Sequence, residues 1–120
     1  MKLRVSFYYV GNIQKATRLY SKFLDLSPAY ADQGWVLFHL EGGDLALHLN
    51  EDLAETGTQD AVKYGAVVSL TVDDLPSALQ LAKDCGFRSV GEPQGLAYGV
   101  QAQIRDPWGN RLSLVKPKSE

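Results

Sequence analysis

Few side chains of this chain could do chemistry, and they are dispersed along it. The 120 residues include two histidines, His39 and His48, and one cysteine, Cys85. A reactive thiol needs a neighbouring base or a helix N-terminus, whereas Cys85 falls at the end of a predicted helix, so we interpret it as a small, half-buried apolar residue. A single cysteine also excludes an intramolecular disulfide. His48 is the obvious candidate for a general base, although no carboxylate is predicted beside it.

The overall composition excludes several classes of protein. The chain is 45% hydrophobic and 22% charged, with a formal net charge of −2, which is typical of a globular protein and argues against disorder. No basic run is present, so we predict no nucleic-acid partner. The N-terminal residues lack the apolar segment of a signal peptide, and no stretch approaches the roughly 20 apolar residues of a membrane helix. We therefore predict a cytoplasmic protein with no membrane partner.

The hydrophobic pattern of the first half predicts a strand, a helix and a hairpin. Residues 3–10 are rich in β-branched and aromatic types and form the strand. Asn12 is a suitable N-cap for a helix whose apolar residues recur at three- and four-residue spacing as far as about Leu24. Strands over 35–40 and 45–49 flank a glycine-rich turn. The polar residues 50–63 are interpreted as a connector.

The second half predicts the same order of elements. A strand over 67–72 leads to a helix that Asp74 caps and that ends at Gly86. A short strand over 87–90 and a loop over 92–99 follow. The last two strands, 100–104 and 112–115, are joined by a turn that contains Trp108, which we expect to be partly exposed. Alternation sends Ser113 to one face of the sheet and its apolar neighbours to the other.

The two halves of the sequence repeat each other. Residues 5–13 match 67–75, and residues 42–47 match 109–114. Such a repeat decides the fold. It predicts one domain over residues 1–120, built from a module of about 1–55 and a module of about 64–117.

A duplicated βαβββ unit with the turn Asp106-Pro107-Trp108-Gly109-Asn110 resembles the vicinal oxygen chelate superfamily, which includes glyoxalase I, bleomycin-resistance proteins and extradiol dioxygenases. The resemblance implies an α+β fold in which two βαβββ modules form curved half-sheets around a cavity. Members commonly dimerise, so it also implies a homodimer.

The resemblance implies four metal-ligand positions, which in this sequence are occupied by Val5, Ala46, Val67 and Ser113. The first three lack a donor atom, and a serine hydroxyl alone is a weak ligand for a transition metal. We therefore predict no metal and no other cofactor. A two-residue change of register would bring His48 to the second position, but it would have no partner at the other sites.

Strand alternation predicts which side chains line the implied cavity. The aromatic residues of the first strand share the face of Val5, and His48 shares the face of Ala46. An apolar wall with a few polar groups suits an organic ligand. The predicted ligand-binding residues are Phe7, Tyr9, Trp35, His48, Ser69, Arg111 and Ser113. Alternatively, Phe7 and Tyr9 fill a closed core, Trp35 is a dimer contact or core residue, and Arg111 is a solvated charge or a partner of Asp106.

Three functions follow from these features. The first is a metal-free protein of the glyoxalase/bleomycin-resistance type that sequesters an aromatic or cationic small organic molecule, with no catalytic residues. The second is an enzyme of the same superfamily, a lyase, isomerase or dioxygenase, with a divergent or metal-independent site that uses His48. The third is a structural or regulatory partner with a closed cavity.

Overall fold

The computed structural model describes residue 1, residues 4–57 and residues 67–118. Contacts divide the chain into two compact units, Met1–Thr58 and Gln59–Glu120. Each unit combines one helix with a four-stranded sheet. The α+β class predicted from the sequence is therefore confirmed.

The first unit contains a sheet in the order β1-β4-β3-β2. Strand β1 is parallel to β4, and the other neighbours are antiparallel. Asn12 caps the helix as predicted, because its Oδ1 accepts a hydrogen bond of 2.9 Å from the Lys15 N–H. The elements are β1 (Ser6–Val10), α1 (Ile13–Leu24), β2 (Tyr30–Ala31), β3 (Trp35–Leu40) and β4 (Gly43–Leu49).

The core of this unit lies between α1 and one face of the sheet. The alternating residues of β1 and β3 that point to this face are buried together with the apolar stripe of the helix. The remaining residues of the same strands therefore lie on the opposite face. The buried set is Tyr8, Val10, Val36, Phe38, Leu45 and Leu47 on the strands and Ile13, Ala16, Leu19, Tyr20 and Phe23 on the helix.

The second unit repeats this topology, with a sheet in the order β5-β8-β7-β6. Strands β5 and β8 are parallel, and the other neighbours are antiparallel. Asp74 caps the helix and Gly86 ends it in the left-handed conformation. The elements are β5 (Val68–Thr71), α2 (Leu75–Cys85), β6 (Arg88–Leu96), β7 (Gly99–Arg105) and β8 (Arg111–Pro117).

Strand β6 corrects the prediction of a short strand followed by a loop. It is one strand of nine residues that includes Gly91, Pro93 and Gly95. It lies at the edge of its sheet, and its register shifts between Val90 and Gln94. An edge strand with a bulge tolerates proline and glycine because part of its backbone needs no ladder partner. Strand β2, which the sequence pattern did not predict, is also a short edge strand.

The turn between β7 and β8 is built around a buried carboxylate. Asp106 is fully buried, and its Oδ1 accepts hydrogen bonds of 2.9 Å from the N–H groups of Trp108 and Asn110. Its Oδ2 accepts a bond of 2.8 Å from Asn110 Nδ2. The expectation that Trp108 is partly exposed is wrong, because the turn folds inwards and leaves this side chain only 7% exposed.

None of the helices in the described part of the chain is long and apolar enough to span a bilayer.

Candidate functional site

The most distinctive surface of the first unit is a cluster of four rings on the sheet face opposite α1. The ring of His48 lies 5.9 Å from Phe7, 5.3 Å from Tyr9 and 5.8 Å from Trp35 between centroids. Phe7 in turn lies 5.5 Å from both Tyr9 and Trp35. These separations are within the range of favourable aromatic contacts. We call these four side chains the aromatic cluster.

Strand register brings the cluster together. Tyr9 of β1 and Trp35 of β3 are both paired with His48 of β4, one on each side. Two positions earlier on β4, Ala46 lies between Phe7 and Leu37 and is fully buried. A small residue at this position allows the larger rings around it to approach each other.

The aromatic cluster is open to solvent. Phe7 is 44% and Tyr9 49% exposed, and His48 is exposed as well. The alternative in which Phe7 and Tyr9 fill a closed core is therefore wrong. Exposed aromatic rings that lie side by side form an apolar patch of the kind that marks a binding surface.

A pocket of about 550 Å³ adjoins the cluster on one side. Tyr9, Gly34 and His48 form part of its wall, and residues 49–52, at and beyond the end of β4, form the rest. This segment includes two acidic residues, Glu51 and Asp52, and its backbone is held by a hydrogen bond of 3.0 Å from the Asp52 N–H to Asn50 Oδ1. The sequence pattern places Glu51 and Asp52 in a polar connector, where nothing marks them as site residues.

The tautomer of neutral His48 follows from its hydrogen bond. Nδ1 lies 2.8 Å from the carbonyl oxygen of Leu49. A carbonyl oxygen only accepts, so Nδ1 is the donor and Nε2 carries the lone pair. His48 therefore offers a hydrogen-bond acceptor to a molecule that lies on the cluster.

The other three predicted site residues lie in the second unit, on the sheet face opposite α2. Ser69 of β5 is paired with Ser113 of β8. Ser113 is nearly buried, and its Oγ accepts a hydrogen bond of 2.6 Å from Gln101 Nε2. Arg111 donates from Nη1 to Gln103 Oε1 at 3.2 Å. This face is polar, in contrast to the aromatic face of the first unit.

The residues at the four positions that the family resemblance assigns to metal ligands do not fit a metal ion. Ala46 carries no donor atom and is covered by its neighbours. The hydroxyl of Ser113 is engaged with a glutamine amide, and carboxylate or imidazole ligands are what a transition metal would need beside it. Within the described ranges, no group of three or more histidine, cysteine or acidic side chains could hold a metal.

Comparisons with known proteins point to one family. A family model described as the glyoxalase/bleomycin resistance protein/dioxygenase superfamily matches residues 3–114. No curated protein sequence matches the chain.

Solved structures of this type have a similar fold. One is a glyoxalase/bleomycin resistance protein/dioxygenase family enzyme from Burkholderia phytofirmans PsJN, with a TM-score of 0.80, 12% identity and coverage of 98% of this chain and 100% of that chain. A glyoxalase-related enzyme from Fulvimarina pelagi has a TM-score of 0.76 and 14% identity, with coverage of 97% and 88%. A bleomycin resistance determinant encoded on the transposon Tn5 has a TM-score of 0.69 and 17% identity, with coverage of 99% and 100%. At these identities the likeness concerns the fold alone.

Proposed function

The chain belongs to the glyoxalase/bleomycin resistance protein/dioxygenase superfamily, and within it we propose that this protein is a metal-free binding protein that sequesters an organic cation with an aromatic or apolar body. The observation that carries the proposal is that two acidic residues, Glu51 and Asp52, line the pocket beside the aromatic cluster. The homodimer implied by the family resemblance stays a prediction.

The aromatic cluster supplies attraction for both parts of such a ligand. Ring faces attract a cation that lies within about 6 Å of the ring centroid, and this contributes roughly 0.5–2 kcal/mol. Trp35 is half-buried and lies 5.5 Å from Phe7 and 5.8 Å from His48. It is therefore held by its neighbours before a ligand arrives, so that less conformational entropy is lost on binding.

The pocket adds negative charge and a hydrogen-bond acceptor. Glu51 and Asp52 are exposed, so their attraction for a cation is screened by salt and acts mainly to favour one sign of charge. His48 accepts a hydrogen bond through Nε2, because its Nδ1 is bound to the Leu49 carbonyl. The expected ligand thus has a positive centre, a flat or apolar body and a hydrogen-bond donor.

A titration with a matched pair of compounds tests the proposal. Benzyltrimethylammonium is an aromatic cation, and neopentylbenzene is its neutral isostere. Followed by ¹H–¹⁵N NMR, the cation is expected to shift amides around Phe7, Tyr9, Trp35 and His48, with an affinity roughly 3- to 30-fold above that of the neutral compound.

Variants distinguish the two parts of the site. Trp35→Ala is expected to weaken binding of both compounds, whereas Glu51→Gln combined with Asp52→Asn is expected to weaken only the cation. Tyr98→Ala, which removes a 55% exposed ring from the second unit, is the control and leaves both affinities unchanged. If neither compound perturbs the first unit, or if both bind equally in every variant, the proposal is wrong. Chemical conversion of a bound compound would instead support the enzyme alternative.

A further inference from the structure

Three arginines lie in one line across the second sheet, and we propose that they form an oxyanion-binding site for a phosphate or carboxylate group. Arg88 of β6 is paired with Arg105 of β7, which is paired with Arg111 of β8. We call these residues the arginine row. The site goes beyond the proposed function, because it lies in the other unit and selects the opposite charge.

The strand register puts all three side chains on the same face. Residues directly opposite in antiparallel strands project to the same side, with Cβ atoms about 4.5–5.5 Å apart. The flanking residues Ile104 and Leu112 point the other way and are buried in the core beneath α2. The arginine row therefore lies on the polar face that carries Ser69 and Ser113.

Arg88 and Arg105 form a pair of like charges within this row. Like charges directly opposite each other on neighbouring strands are destabilising. Neither Arg88 nor Arg105 forms an ion pair with a carboxylate in the part of the chain that the structure describes. The adjacent Asp106 carboxylate accepts hydrogen bonds from its own turn, and Glu92 lies in the irregular stretch of β6 beyond Val90. An anion on this face would relieve the repulsion.

A second observation points to the same ligand. The Nε atom of Arg105 is buried and has no hydrogen-bond partner among the described residues. A buried N–H without an acceptor is unfavourable by about 1–3 kcal/mol, and the half-buried Arg105 side chain can take an acceptor from a bound molecule through the rest of its guanidinium. Arginine presents its donors in a planar fork that matches the oxygens of carboxylate and phosphate groups.

The neighbouring residues extend the set of donors. Gln103 holds Arg111 through Oε1 at 3.2 Å, which fixes the orientation of that guanidinium. Ser113 lies two positions further along β8, on the same face, and accepts from Gln101, so its own hydroxyl hydrogen is directed elsewhere and can be donated. The row and this serine together provide charged and neutral donors on one face.

Binding of inorganic phosphate tests the inference. Thermal unfolding and ¹H–¹⁵N NMR would be recorded in sodium phosphate and in sodium chloride of equal ionic strength, with sodium benzoate as the carboxylate arm. Phosphate or benzoate is expected to raise the melting temperature in a saturable way and to shift amides of β7 and β8. The arm with the larger effect identifies which oxyanion the site prefers.

Substitutions test whether the arginine row causes the response to phosphate or benzoate. Arg105→Gln is expected to weaken binding about tenfold because it removes the central charged fork, whereas Arg105→Lys, which keeps the charge and loses the fork, has an intermediate effect. Arg18→Gln, on the exposed side of α1, is the control and retains the full response. Arg105→Gln is not expected to lower the melting temperature in chloride, since it removes like-charge repulsion. Trp35→Ala leaves the anion response intact, so that failure of the proposed function and failure of this inference are distinguishable.

Three results would overturn the inference. The first is an equal response to all three salts, and the second is an equal loss of response in the Arg105 and Arg18 variants. The third is a change of oligomeric state by light scattering in Arg105→Gln alone, which would assign the arginine row to an interface with a second copy of this chain.

Discussion

Replacing Asp106 by alanine is expected to destabilise the protein far more than the loss of an exposed carboxylate does. The Asp106 carboxylate is fully buried and accepts hydrogen bonds from the backbone N–H groups of Trp108 and Asn110, both at 2.9 Å, and from Asn110 Nδ2 at 2.8 Å. It thereby closes the turn that sets the register of β7 and β8. Alanine provides no acceptor for these donors.

The magnitude follows from the number of donors left without a partner. Each buried donor without an acceptor is unfavourable by about 1–3 kcal/mol. The Asn110 side chain is half-buried and can reach water, so we count the two backbone groups in full and expect a loss of about 2–6 kcal/mol in the free energy of unfolding. Asp106→Asn keeps one carbonyl oxygen that accepts from the backbone N–H groups, but its new NH₂ group faces the NH₂ group of Asn110, and both are donors. We expect a loss of about 1–2 kcal/mol in the free energy of unfolding.

Urea denaturation followed by circular dichroism measures these changes. Asp84→Ala is the matched control, because Asp84 is exposed and accepts one hydrogen bond, from Gln80 Nε2 at 2.9 Å. Exposed substitutions of this kind change stability by less than about 0.5 kcal/mol. A loss below about 1 kcal/mol for Asp106→Ala, or equal losses for the two alanine variants, would refute the argument that the buried carboxylate organises the turn.

Two further predictions concern backbone geometry and pH. Gly99→Ala is expected to destabilise by about 1–3 kcal/mol in urea denaturation, because a Cβ at this position would overlap the Lys116 carbonyl oxygen, whereas Gly95→Ala has open space around it and should have a much smaller effect. The pKa of the Asp32 carboxyl is lower than its ordinary value, and the largest cause is a hydrogen bond from the Gly34 N–H. The ionised carboxylate therefore stabilises the fold at pH values above the pKa of the unfolded state. This contribution is lost as the pH falls through the pKa of the folded state. The stability difference between wild type and Asp32→Asn should therefore shrink as the pH falls below about 4, the ordinary pKa of an aspartate, and curves that stay parallel there would contradict the assignment.

The fold could largely be predicted from local patterns. The helix capped by Asn12 begins and ends where its apolar spacing indicates, and the repeat of the sequence reappears as the same strand order in both units. These features depend on residues close together in the sequence. The prediction of a short strand followed by a loop was wrong for β6, because its glycines and proline indicate a loop by local rules. Only the position of β6 at the sheet edge makes these residues acceptable in a strand.

The candidate sites also combine features that local patterns predict with features that depend on the pairing of distant strands. Alternation along a strand is a local property, so the sequence suffices to place Phe7 and Tyr9 on one face of β1 and to separate Ser113 from its apolar neighbours on β8. Alternation could not reveal that Trp35 and Tyr9 flank His48, since that requires the register of three strands.

Local sequence patterns specify the duplicated α+β architecture and which side chains point away from each core. The pairing of strands that are distant in the sequence sets which neighbours those side chains contact. It placed Glu51 and Asp52 beside the rings and aligned Arg88, Arg105 and Arg111 in one row. The physical reason is that strand periodicity is fixed by the geometry of each residue, whereas lateral neighbours depend on turns and bulges far away in the chain.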